Sequence, residues 1–156
     1  MLDVLHHLER PVDFMSEAAR VLRPGGVLAM IEPGMSPLSY PFYRYVHHEP
    51  ADLGVDPFAA PETVSRRDPF DSNQAIPTLL FGRRSNISKL ERRIPQLKLR
   101  GVDWLGLLAY PLSGGFRHWC LVPSTIVPGL IRFEDAVPFS VRRLFGGRLM
   151  AVFDRK

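Results

Sequence analysis

1-MLDVLHHL-8, 23-RPGG-26 and 27-VLAMIEPG-34 frame the stretch whose reading decides the fold. Met1–Leu5 reads as the end of a buried strand, and the segment after it as a helix. Pro11 suits a first helical turn, where its missing N–H has no partner to lose. Phe14, Ala18, Val21 and Leu22 recur at helical spacing and predict an apolar stripe on a helix over Pro11–Arg23. Asp13 and Glu17 lie early and Arg20 and Arg23 late, as the helix dipole favours. Pro24-Gly25-Gly26 stops the helix. Val27–Ile31 is a run of five apolar residues, the pattern of a strand covered on both faces in a parallel sheet. Strand, helix and strand make half of a parallel α/β unit. Ligands of such sheets bind beyond the carboxyl ends of strands, so Leu5–His7 and Glu32–Gly34 should share one rim.

Three pieces then combine: Asp3-Val4-Leu5-His6-His7-Leu8, Glu17 to Gly26 (EAARVLRPGG) and Ile31-Glu32-Pro33. Together they resemble the later motifs of class I S-adenosylmethionine-dependent methyltransferases, of the branch with a type-11 methyltransferase domain. The close resemblance covers about a fifth of the chain. It implies a Rossmann-like methyltransferase sheet, here the carboxyl-terminal half only. The family's Gly-rich turn after the first strand and its ribose-binding acidic residue have no counterpart. Glycines occur as pairs (Gly25-Gly26, Gly114-Gly115, Gly146-Gly147), and no G-x-G-x-x-G occurs. The expectation is a truncated or split protein whose amino-terminal half is missing.

The 156 residues suffice for one domain with a core. A hydrophobic share of 46% with 23% charged residues fits a globular protein rather than a disordered one. A single cysteine, Cys120, excludes an internal disulfide framework and reads as an inert core thiol. With no leader before the first strand, the expected location is cytoplasmic. No apolar run is long enough to span a bilayer. Residues 1–75 carry 6 basic and 11 acidic side chains, against 14 and 5 in residues 76–156. That asymmetry points either to an anionic partner of the second part or to an acidic half that balances it.

The chain divides into a core unit (1–34), an inserted loop (35–75) and the remaining helices and closing strands (76–156). Pro37, Pro41, Pro50, Pro57, Pro61 and Pro69 punctuate the insert, which is read as a Pro-rich lid over the rim. Tyr40, Phe42, Tyr43 and Tyr45 either wall a flat substrate or build a satellite core. Further on come an apolar segment Gln74–Phe81, an amphipathic helix over Asn86–Pro95, a strand region Leu97–Tyr110 and helical segments Pro123–Val137 and Phe139–Leu144. Arg148–Phe153 is a final strand, consistent with the family's antiparallel closing strand. The basic face of Lys89, Arg92 and Arg93 lacks interleaved aromatics, which argues against nucleic acid.

Methyl transfer from a sulfonium is an in-line displacement, and a base is needed only when the acceptor must lose a proton. His7, at a strand end, is the first candidate, as base or lining residue; a capping or packing histidine is the alternative. On an extended segment His6 points to the opposite face. The resemblance implies that Asp3, Val4 and His6 lie against the cofactor, S-adenosylmethionine, largely through main chain. Glu32 is a candidate substrate contact or a plain strand terminus. If the insert folds back, His47 and Glu49 join His7 as catalytic candidates, and Tyr43 and His48 join Glu32 at the substrate. Asn73-Gln74 and Ser113–Phe116 are turns that could line the acceptor pocket. His6, His7, His118 and Cys120 match no ligand spacing, so no metal is expected.

The activity implied is methyl transfer to a small-molecule acceptor, with this chain inactive alone. Two alternatives stand beside it: a non-catalytic half docking on a partner chain, and a peripheral membrane protein using the basic helix.

Overall fold

The computed structural model describes residues 1–47, 49–59, 72–113 and 119–156. His48, residues 60–71 and residues 114–118 lie outside it, and with them part of the expected lid, most of the Ser113–Phe116 turn, and His118. The elements run, after a 3-10 turn at Leu5–His7, as α1 (Pro11–Val21), β1 (Val27–Pro33), α2 (Tyr40–Tyr45), α3 (Ile76–Phe81) and α4 (Arg84–Arg93). β2 (Leu97–Leu105), α5 (Ala109–Leu112), α6 (Val127–Ala136), α7 (Phe139–Phe145) and β3 (Arg148–Arg155) follow.

The strands form one mixed-order sheet, β1-β3-β2, with β3 central and antiparallel to both neighbours. β1 and β2 therefore run parallel to each other without touching. The expected parallel pairing occurs at one place. Leu2 bridges Ile31 in parallel, with Asp3 N–H donating to the Ile31 carbonyl and Ile31 N–H to the Met1 carbonyl, both at 3.0 Å. Beyond Asp3 the chain leaves the sheet. Asp3 has φ +50°, a left-handed conformation that aspartate tolerates better than most side chains. It turns the chain into the 3-10 turn, so Met1–Leu5 is a short paired stub rather than a five-residue strand.

Helix α1 has two interleaved apolar rows; the sheet buries the one through Val12, Met15 and Ala19 most deeply, while Phe14 of the other packs at its margin. Pro11, Val12, Met15 and Ala19 are buried, whereas Val21 is 67% exposed. Both rows satisfy helical spacing, so local pattern could not choose between them. The core gathers Leu5, Met15, Met30, Leu80, Phe81, Leu90, Leu97, Leu149, Ala151 and Phe153 on one sheet face. Met30 stands opposite Ala151, and Glu32 opposite Leu149, so Glu32 projects from the core face. Val27 on β1 is 43% exposed, which corrects the reading of β1 as a strand covered on both faces.

A second cluster joins Met35, Tyr43, Ala51, Ala75 and Leu79. The described part of the 35–75 segment thus builds a satellite core around Tyr43. Cys120 is exposed, correcting its reading as a core thiol. Gly34, just past β1, is required by close approach: a Cβ there would come 2.9 Å from both the Arg148 carbonyl carbon and the Trp104 ring. That contact draws the ends of β1 and β2 and the start of β3 into one rim.

Candidate functional site

The rim is organised by a buried carboxylate. Glu32 is 0% exposed. Its Oε1 accepts from the main-chain N–H of Val4 (3.0 Å) and of Leu5 (2.9 Å), the donors left over at the start of a helical turn. Its Oε2 lies 2.7 Å from His6 Nδ1. Burial pushes the Glu32 pKa up. The bonds from His6, Leu5 and Val4 outweigh that, holding it below the ordinary glutamate range. Glu32 is therefore ionised at neutral pH, and His6 Nδ1 carries the proton it donates. Where the sequence leaves Glu32 as a substrate contact or a plain strand terminus, the structure places it as a fully buried brace.

The 3-10 turn changes the histidines' relationship. In a strand His6 and His7 would face opposite ways. Here their ring centroids are 4.1 Å apart. His6 is 3% exposed and His7 is half-buried. Burial, and then the neighbouring His6, lower the His7 pKa from its usual value.

Glu49 arrives from the segment after α2. Its Oε2 is 3.8 Å from His6 Nε2, accepts from Ser72 Oγ at 3.0 Å, and is bonded by Gln74 Nε2. Gln74 thus reaches the site through Glu49. Asn73 N–H donates to the His6 carbonyl at 3.0 Å, tying the same segment to the turn. His47 lies beside the cluster's outer wall, its ring 5.4 Å from Tyr43. Glu49 N–H donates to His47 Nδ1 at 3.3 Å.

Tyr43, read as a substrate contact, is buried, and its hydroxyl donates to the Gly147 carbonyl at 2.6 Å. Its hydroxyl secures α2 to the rim rather than facing a ligand. Asp3 pairs with Arg148 Nη2 at 2.5 Å, and the Arg148 guanidinium lies 5.2 Å from the Tyr110 ring centroid. Burial opposes the Arg148 charge, but the bond to Asp3 outweighs it and the pKa is raised. Arg148 went unnoticed in the sequence, where it only opens an apolar strand. Its near-complete burial depends on Asp3, 145 positions away. Of the expected site residues, His6, His7, Glu32 and Glu49 converge, Val4 contributes its N–H, Asp3 and His47 flank them, and His48 lies outside the described residues.

Where the chain leaves β1, a cavity of about 370 Å³ is lined by Met35, Leu53, Leu79 and Trp104, with Arg83 and Arg143 and with none of the clustered histidines or glutamates. Its size suits a small molecule, and its walls are apolar with two cations. No helix among the described residues is long and apolar enough to cross a membrane.

No curated protein matches the chain. One family does, described as a methyltransferase domain, over residues 1–30, the stretch that carries the stub, the histidine turn, α1 and the start of β1.

Proposed function

We propose that this chain forms the acceptor-side rim of an S-adenosylmethionine-dependent methyltransferase acting on a small molecule. The observation that carries the reading is the coincidence of the 1–30 match with the segment that places Asp3–His7 beyond the end of β1. The order of the sheet supports it: a parallel stub, then β1, then an antiparallel final strand inserted between β1 and β2. The resembled family closes its Rossmann-like sheet with an antiparallel final strand as well.

The described residues do not by themselves fit the whole cofactor. The Val4 and Leu5 amides are taken by Glu32, and the Asp3 carboxylate by Arg148. No G-x-G-x-x-G turn supplies further amides. The Gly-rich turn is therefore assigned to further polypeptide, continuous or separate. In this reading His7 lines the site or takes the acceptor's proton, with His47 and Glu49 beside it. The cavity near Met35 takes the acceptor, whose class is apolar with a negatively charged group to meet Arg83 and Arg143.

A second reading has a specific observation behind it. Leu2 lies between the two residues bonded to Ile31, so its own amide and carbonyl face the outer edge, and its side chain is 56% exposed. That edge can accept a strand from a partner chain.

Amide-resolved NMR titration with S-adenosylmethionine tests the first reading. Weak, millimolar shifts confined to residues 3–7, 32–36 and 47–49 are expected. Shifts centred elsewhere, or none at saturating concentration, overturn it.

A further inference from the structure

Neighbouring histidines on a strand cannot act on one ligand, but the turn at Leu5–His7 brings the His6 and His7 rings to 4.1 Å. Glu49 closes the third side. One ligand atom from each of His6, His7 and Glu49 lies within 4.8 Å of the others.

The partner of His6 Nδ1 decides which ring nitrogen is turned toward the cluster. His6 Nδ1 lies 2.7 Å from the Glu32 carboxylate, which leaves Nε2 as the ring nitrogen facing the cluster. Nε2 faces Glu49 Oε2 at 3.8 Å, beyond hydrogen-bond range. The His7 ring lies against the same spot.

The supporting groups match those of a ligand set. A metal-binding histidine usually donates its other N–H to a carboxylate, which sets its tautomer and orientation. Glu32 does this for His6 and is itself fixed by the Val4 and Leu5 amides. Ser72 and Gln74 hold the Glu49 carboxylate. Asp3, His6 and Glu32 also lie close enough to be considered. That group is less suited, because Glu32 is committed to three donors and Asp3 already pairs with the Arg148 cation.

We propose that His6, His7 and Glu49 form a binding site for a late first-row divalent cation, with Glu32 orienting His6. Two imidazole nitrogens and one carboxylate select Zn²⁺ or Co²⁺ over Mg²⁺ or Ca²⁺, which prefer all-oxygen shells. Atoms about 2.1 Å from zinc stand about 3.4 Å apart at the tetrahedral angle, so closing on the ion takes side-chain shifts of about 1 Å. Three protein ligands leave a fourth position open to water or to an oxygen of a bound molecule. The proposal does not depend on methyl transfer.

The test uses the whole chain, stripped with chelator and titrated with ZnCl₂ alone by calorimetry and by competition with a chromophoric chelator. One Zn²⁺ per chain at micromolar Kd or tighter is expected, with no binding of MgCl₂. His7→Ala and Glu49→Gln should each weaken binding at least tenfold, with circular dichroism confirming the fold. Glu32→Gln should weaken it about tenfold through His6. Co²⁺ bound to the unaltered chain should show visible bands of a four-coordinate N/O site, a readout that needs no variant. Cys120→Ser should leave binding intact. Absence of saturable Zn²⁺ binding, binding unchanged in folded His7→Ala and Glu49→Gln, or binding lost in Cys120→Ser would overturn the proposal.

Discussion

Glu32 Oε2 and His6 Nδ1 stand 2.7 Å apart in the interior, and the same carboxylate caps the turn that carries His6. One buried anion thus sets both the backbone path of the rim and the orientation of its innermost ring. Breaking one side of a buried charged network leaves the other uncompensated, which costs more than the intact network contributes.

Glu32→Ala should accordingly destabilise the fold by about 3–5 kcal/mol, since it orphans the Val4 and Leu5 amides and the His6 ring. The folded-state pKa of Glu32 is lowered relative to 4.5, so its contribution is present above that value and is lost as pH falls through the lower folded value. Urea denaturation at a series of pH values should show stability declining below the ordinary glutamate range. In Glu32→Gln that part of the decline should be absent, and an unchanged acid limb would refute the assignment.

His7 has a linkage of the same sign in a higher pH range. Its pKa is lowered from 6.5, so the folded chain binds a proton less readily than the unfolded one. Protonation therefore costs stability as pH falls through the ordinary histidine range, and the penalty is absent above it. Ring-proton NMR should place the His7 midpoint below 6.5. A midpoint at or above that value would contradict the effect of burial and of the His6 neighbour. Under the proposed function, with the remaining polypeptide supplied, His7→Ala should reduce turnover more than stability, as read by methyl-transfer assay beside thermal melts.

Two glycines make a contrast. Gly34→Ala forces a Cβ to 2.9 Å from the Arg148 backbone and the Trp104 ring, and should cost about 1–3 kcal/mol. Gly101, at the irregularity of β2, has open space where a Cβ would go. Gly101→Ala should be neutral or stabilising by up to about 1 kcal/mol. Thermal melts of the two variants measured side by side check the pair; equal effects would show that the rim is not closed as described.

Isothermal titration of residues 1–156 with S-adenosylmethionine should show no saturable binding in the micromolar range. The amides and carboxylate nearest the rim are already committed within the protein. One-to-one micromolar binding by a monomer would mean that the cofactor site is complete in this chain. Binding restored by a separate amino-terminal polypeptide would instead favour a split protein.

What the sequence determined by itself was most of the succession of elements, the turn at Leu5–His7 and helix α5, which starts inside the expected strand region Leu97–Tyr110, excepted. Pro11 and Pro24-Gly25-Gly26 bracket α1, the short apolar runs mark β1 and β3, and the spacing of Leu90 and Ile94 marks the buried side of α4 and its end. These signals are local, carried by dihedral preference and periodicity within a few residues, so they survive without knowledge of the rest of the fold. Tertiary structure alone decided which row of α1 is buried, that Tyr43 is core while Cys120 is exposed, and that Glu32 looks inward. It also made His6 and His7 a pair, by turning the backbone at Asp3. Each of those outcomes depends on a partner far along the chain: Glu32 for His6, Gly147 for Tyr43, Arg148 for Asp3. A polar side chain's role is set by the group that satisfies it, and that group is chosen by the packing of the sheet rather than by its neighbours in sequence.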